Sequence, residues 1–155
     1  MKKIIFLDVD GVLNCRTDFN GSTYYVLDPK KIKRLHRIIR KTNAEIVLSS
    51  TWRKFPKMLE FLKKHDVNYI DVTIDLNMPS ARIGLRGAEI EHWINNNSVI
   101  EKYVIIDDED DFLPFQKEFF VKTEWLDWNK KPGGLQAKHV KKAIEILNGE
   151  KNAKV

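Results

Sequence analysis

Cysteine is all but missing from this chain: Cys15 is the only one in 155 residues. No intrachain disulfide can form, and a reducing, cytoplasmic setting is the expectation. Long apolar runs are missing too, and none approaches the roughly 20 residues of a membrane-spanning helix. The opening "MKKIIFLDVD" has too short an apolar stretch for a secretory peptide and no small-residue cleavage site, so it reads as a strand. No internal repeat or low-complexity segment interrupts the pattern, and 155 residues suit one domain with its own core. We expect a single domain over residues 1–148 and a frayed tail over 149–155. The four histidines, His36, His65, His92 and His139, fall on helical stretches away from the acidic clusters. None reads as a metal ligand.

Charge is what the chain has in quantity. Charged residues are 32 % and apolar residues 43 %, the balance of an ordinary soluble globular protein. Lys and Arg outnumber Asp and Glu by 27 to 22, for a net charge of +5 and a sequence pI near 9.2. Such a balance favours phosphates or nucleic acid as partners. The plainer reading is a lysine-rich surface, with "KKIKRLHRIIRK" a solvated helix face.

Short apolar runs alternate with helical periods. "KIIFLDV" is a continuous run, as for a strand covered on both faces. Asp28 and Pro29 then cap and open a helix with Ile32, Leu35, Ile38 and Ile39 on one stripe. "AEIVLSS" reads as a second strand, and Pro56 starts a helix with Met58, Leu59 and Leu62 inward. "VNYIDV" is a third strand, residues 87–95 are helical, "KYVIIDD" is a fourth strand, and "EFFVKT" a short fifth. Residues 136–148 form the last helix, with Val140, Ala143, Ile144 and Leu147 on its stripe. The alternation implies an α/β domain with a mainly parallel five-stranded sheet.

Ligands of such sheets sit beyond the carboxyl ends of the strands. The first strand ends in Asp8 and Asp10, the second in Ser49, Ser50 and Thr51, the fourth in Asp107 and Asp108 with Asp111 following. Clustered carboxylates repel one another unless a cation sits among them. Oxygen ligands with no His or Cys nearby suit Mg²⁺, which takes one or two carboxylates plus a substrate phosphate. A further Asp is then free for aspartyl-phosphate chemistry, and an Asp two residues on can protonate the leaving oxygen. Gly11 permits a sharp turn after the strand, and Ser49 or a neighbour can donate to a phosphoryl oxygen.

Read together, "DVDGVLN", "IVLSS" and "VIIDDEDD" resemble the first, second and fourth motifs of the haloacid dehalogenase (HAD) superfamily of phosphotransferases, in the right order and each after an apolar strand. The resemblance runs from Lys3 to about Leu147. "LDPKKIKRLHRIIRKTNAEIVLSSTWR", "RGAEIEHWI" and "GLQAKHVKKAIEIL" resemble a small capless subgroup that includes phosphatase-like domains of RNA-repair proteins. The resemblance implies a Rossmann-like three-layer sandwich with the first strand central and no or minimal cap. It implies that Asp8 is the nucleophile and Asp10 the general acid and base. It further implies that Asp8, Asp107 and the Asp10 carbonyl hold Mg²⁺, with Asp108 direct or through water, and that Ser49, with Ser50 beside it, holds the phosphoryl group. The third motif is usually a Lys; here Arg86 is the best-placed cation, with Lys57 and Arg53 as alternatives.

The function expected is a Mg²⁺-dependent phosphomonoester hydrolase acting on nucleic-acid 3′ ends or nucleotides. The alternatives are a phosphatase of a small metabolite or phosphoprotein, a phospho-acceptor signalling domain, and a nucleic-acid-binding module. Plainer readings stand beside several residues. Asp110 and Asp111 suit a helix start, and Thr51 and Arg53 a cap. Trp93 suits the core, and Cys15 is a small filler. Trp52, Trp125 and Trp128 are the aromatic residues that remain for base stacking, the last two in a loop near the site edge.

Overall fold

Ile4, Ile5, Phe6 and Leu7 are all inaccessible to solvent, which is what a strand covered on both faces requires. They belong to β1 (Lys2–Leu7) of a computed structural model that describes residues 1–22, 25–77, 85–97, 99–126 and 131–150. After β1 come α1 (Arg16–Phe19), α2 (Pro29–Thr42), β2 (Glu45–Leu48), α3 (Pro56–Lys64) and β3 (Asp71–Val72). α4 (Leu85–Asn96), β4 (Ile100–Asp107), β5 (Phe120–Lys122) and α5 (Ala137–Asn148) follow. Short 3₁₀ turns occupy Thr51–Lys54 and Pro114–Phe119. The strand order is β3-β2-β1-β4-β5, all parallel, with β1 central.

Alternation along β1 builds the layers. Ile5 and Leu7 point to one face, where Leu35 and Ile38 of α2, Leu62 of α3 and Ala143 and Leu147 of α5 cover them. Ile4 and Phe6 point to the other and meet Ile90 and Trp93 of α4, with Phe6 and Trp93 edge to face at 5.5 Å. The result is a Rossmann-like α/β sandwich of three layers. Each such side chain contributes about 1.5–3 kcal/mol by leaving water, and truncating Leu35 to Ala would cost roughly 2–5 kcal/mol.

Local chemistry sets the helix ends. The Asp28 carboxylate accepts from the Lys30 N–H at 2.9 Å, Pro29 follows it, and Asn43 closes α2 in the left-handed region. The third strand is shorter than its sequence suggests, only Asp71–Val72, and lies at the sheet edge with Ile70 half exposed. Short edge strands limit unwanted pairing. α1 and both 3₁₀ turns carry no apolar period and were not foreseen. Of the expected tail, Gly149 and Glu150 are described, and the Glu150 N–H returns to the Glu145 carbonyl at 2.9 Å; residues 151–155 lie outside the described residues. Among the described residues no helix is long and apolar enough to cross a membrane.

Register places the site. Leu7 pairs with Leu48 on one side and Ile106 on the other. The next residues, Asp8, Ser49 and Asp107, therefore stand at one level of the carboxyl edge. Their backbones are still pinned: the Asp8 N–H donates to Ile106 and the Ser49 N–H to Leu7, both at 3.0 Å, and Asp107 accepts from the Thr123 N–H at 2.9 Å.

Candidate active site

Asp8, Asp107 and Asp108 each bring a carboxylate oxygen within 4.8 Å of the others. Arg86 lies against this group, with Nη1 3.0 Å from Asp8 Oδ1 and 2.8 Å from Asp107 Oδ2. The first turn of α4 is what aims it. Asp111 accepts the Arg86 N–H on Oδ2 at 3.3 Å and the Gly87 N–H on its carbonyl at 3.0 Å. Gln116 accepts from the Leu113 N–H and donates to the Gly87 carbonyl at 3.0 Å, and a Cβ on Gly87 would collide with Gln116 and the Leu113 nitrogen. Asp111 thus serves as a helix-end acid rather than a member of the carboxylate cluster.

The electrostatics follow from burial. Asp8 is pushed up to about 7, first by burial and then by the charge of Asp107, with Arg86 opposing. Asp108 also rises to about 7, from burial and the neighbouring Asp8 charge. Asp107 rises to about 6 from burial, held back by Arg86. Burial works against the Arg86 charge, yet Asp8 and Asp107 together push its pKa up. One guanidinium among two buried carboxylates and the half-buried Asp108 leaves an excess of negative charge that a cation would offset.

Asp10 is gripped separately. Its Oδ1 accepts from Asn14 Nδ2 at 2.9 Å and its Oδ2 from the Trp52 indole N–H at 3.0 Å. Asn14 is itself fixed, accepting from the Gly11 N–H at 3.0 Å and donating to the Val26 carbonyl at 2.9 Å. Gly11 turns at φ 81°, and a Cβ there would overlap the Asp108 carboxyl. No other residue type fits that turn without moving the cluster.

Ser49 is fully buried, and its hydroxyl has no hydrogen-bond partner among the described residues. Buried polar atoms are normally satisfied, so an orphan beside a carboxylate cluster suits a ligand oxygen. Ser50 does something else: its hydroxyl accepts from the Trp52 N–H at 3.2 Å and caps the 3₁₀ turn. Arg53 is committed behind the site. It donates to the carbonyls of Ser49, Ser50 and Thr73 and pairs with Glu89 at 2.8 Å, both side chains nearly inaccessible. Lys57 is exposed on α3. Of the cations weighed, only Arg86 contacts Asp8.

Asp8, Asp10, Arg86 and Asp108 share a cleft of about 650 Å³ with Thr51, Glu109, Phe19 and Trp125. Phe19 and Trp125 pack at 5.6 Å to form an aromatic wall. Trp52 is buried on Asp10 and offers no free face, Trp93 is in the core as expected, and Trp128 lies outside the described residues. Asn14, Glu89 and Phe19 were missed from the sequence. Asn14 had a signal, an amide four residues after Asp10 in an otherwise apolar stretch; the other two had none.

Residues 4–129 match the family described as the HAD domain in Swiss Army Knife RNA repair proteins. No curated protein matches the chain. The family supports hydrolase chemistry of the phosphatase type, and the matched span contains every strand of the sheet but the first residues of β1, together with all the acids described above. On that match and this geometry, the chain belongs to the haloacid dehalogenase superfamily, as a HAD domain of the kind named for Swiss Army Knife RNA-repair proteins.

Proposed function

We propose that this chain is a Mg²⁺-dependent phosphomonoesterase that works through an aspartyl-phosphate on Asp8 and acts on the phosphorylated end of a polynucleotide, or on a nucleotide. The observation that carries the reading is the close trio Asp8, Asp107 and Asp108 braced by Arg86. An all-oxygen donor set with excess negative charge fits Mg²⁺. Asp8, Asp107 and Asp108 would hold it by side chain and Asp10 by its backbone carbonyl. Mg²⁺ bound there would offset charge on the transferring phosphoryl group.

The chain's own residues account for the remaining chemistry. An Asp8 carboxylate oxygen attacks phosphorus, and the bond to the leaving oxygen breaks. Asp10 delivers its proton to that oxygen. Asp10 then takes a proton from water as the water oxygen attacks the aspartyl-phosphate, which frees Asp8 and inorganic phosphate. Arg86 offsets phosphoryl charge, and the orphan Ser49 hydroxyl is a donor for a phosphoryl oxygen. The acid-lined cleft opens to solvent, with Phe19 of α1 and Trp125 as the aromatic walls among the described residues, a shape that suits a large substrate.

The test is phosphate release with and without Mg²⁺ from a 3′-phosphorylated oligonucleotide, beside p-nitrophenyl phosphate. Metal-dependent release from the oligonucleotide that Asp8→Asn abolishes is the expected result. Release from the small ester alone would discard the polynucleotide part. Turnover in Asp8→Asn would reject Asp8 as nucleophile, and a stable phosphoprotein would favour the phospho-acceptor alternative.

A further inference from the structure

The positive charge of this chain is segregated. α2 carries seven Lys and Arg and no acid, and α5 carries three Lys against one Glu. The remaining 17 Lys and Arg stand against 21 Asp and Glu, so the chain is net −4 outside these two helices and +9 within them. The two helices pack side by side on the same face of the sheet.

Only part of that charge serves the fold. Lys31 is buried between Asp18 at 2.9 Å and Asp28 at 2.7 Å, and Arg34 donates to the Leu135 carbonyl at 3.1 Å. Lys33, Arg37, Arg40 and Lys41 of α2 and Lys138 and Lys142 of α5 are exposed. Among the described residues no carboxylate lies within 4.0 Å of any of these six. Like charges three and four apart, as at Lys33, Arg37 and Lys41, destabilise a helix. A surface that needs only solubility intersperses the two signs. α2 instead keeps one sign outward, and α5 adds a single acid, Glu145, paired with Lys141 at 4.0 Å.

This face is continuous with the cleft. Helices that follow strands of a parallel sheet begin at its carboxyl edge. The Asp28 N–H at the start of α2 donates to the Leu13 carbonyl at 2.9 Å, and the Leu135 N–H just before α5 donates to the Val12 carbonyl at 2.8 Å. Val12 and Leu13 belong to the loop that carries Asp10 and Asn14. From Lys30 to Lys41 the basic stripe runs about 16 Å at 1.5 Å per residue.

We propose that the exposed α2–α5 face binds the phosphate backbone of a single-stranded RNA whose phosphorylated end enters the cleft at Asp8. The proposal deepens the phosphatase reading, on which its end-processing part rests. Charge complementarity selects a phosphate backbone, and the match to a family named for RNA-repair proteins favours RNA. A membrane surface would want large apolar side chains beside the cations, and those exposed among the described residues, such as Phe55, Ile70 and Phe115, lie on other elements.

The test is an anisotropy titration of a short labelled RNA at several salt concentrations. The full chain is compared with K33Q/R37Q/R40Q/K142Q and with a control, K63Q/K64Q/K102Q/K117Q, that removes equal charge elsewhere. With about 0.7 of salt slope per phosphate contact on a single strand, the first variant is expected to lose roughly 2–3 from the slope and at least about tenfold in affinity. The control should bind as the parent does, and p-nitrophenyl phosphate turnover should persist in both. Equal losses in the two variants, no loss in the first, or tighter binding to phosphatidylserine vesicles than to RNA would overturn the proposal. A chain that binds RNA through this face yet hydrolyses no ester would reject the phosphatase reading and leave the surface standing.

Discussion

The Asp10 carboxylate is held from two sides, and one side can be removed nearly alone. Trp52→Phe keeps a ring against Tyr25 and Phe61 and deletes the indole N–H that meets Asp10 Oδ2 at 3.0 Å. Asn14 still holds Oδ1 at 2.9 Å. A hydrogen bond to a charged group is worth about 1.5–3 kcal/mol, which caps the loss at roughly 10–200-fold in rate. If Asp10 is the proton donor, that loss falls on esters whose leaving oxygen needs a proton. The assay is kcat/KM for a 3′-phosphorylated oligonucleotide, whose sugar oxygen is a poor leaving group, against p-nitrophenyl phosphate, whose phenolate leaves unaided. We expect the loss on the first and a change within about threefold on the second. Asp10→Asn should show the same ordering with a larger gap, about 10²–10⁴-fold. Equal losses on both esters in Trp52→Phe, alongside a selective loss in Asp10→Asn, would refute the positioning role, because a merely structural residue slows both. The smaller ring also costs roughly 1–3 kcal/mol of stability, read separately by urea unfolding.

Gly11→Ala should lower stability by about 1–3 kcal/mol and abolish turnover, since its Cβ would overlap Asp108; an active, equally stable variant would contradict the packing. Glu89→Ala should cost roughly 3–5 kcal/mol in denaturant unfolding, because it leaves Arg53 buried without its partner; a cost below about 1 kcal/mol would show the pair to be solvated. Asp8 and Asp108 sit at about 7 and Asp107 at about 6, above the ordinary 3.8. The folded state therefore keeps protons that the unfolded chain has released, and stability falls as pH rises from about 4 through 7. Without divalent cations, Tm should drop between about pH 4 and 7, Mg²⁺ should restore it, and Asp8→Asn should flatten the slope. A flat profile for the parent protein would be evidence against buried repulsion in the cluster.

Much of this was legible in the chain itself, because it depends on near neighbours. Apolar runs and helical periods located all five strands and the four longer helices, and the acids and serines at strand ends marked the working edge. Asp28, Pro29 and Asn43 act on backbone within a turn of themselves, so their roles follow from order alone. Other features were settled only by folding. That Arg86, and neither Arg53 nor Lys57, reaches Asp8 depends on α4 being locked by Asp111 and Gln116, residues some 25 to 30 positions away. That Trp52 grips Asp10 rather than a base depends on the chain returning to one spot 42 positions later. Ser49 and Ser50 are adjacent and chemically identical, yet one hydroxyl is left without a partner and the other caps a turn. Periodicity reports which face a residue takes within its own element. Partners across elements are set by parallel register and layer packing, and only the tertiary structure decides those.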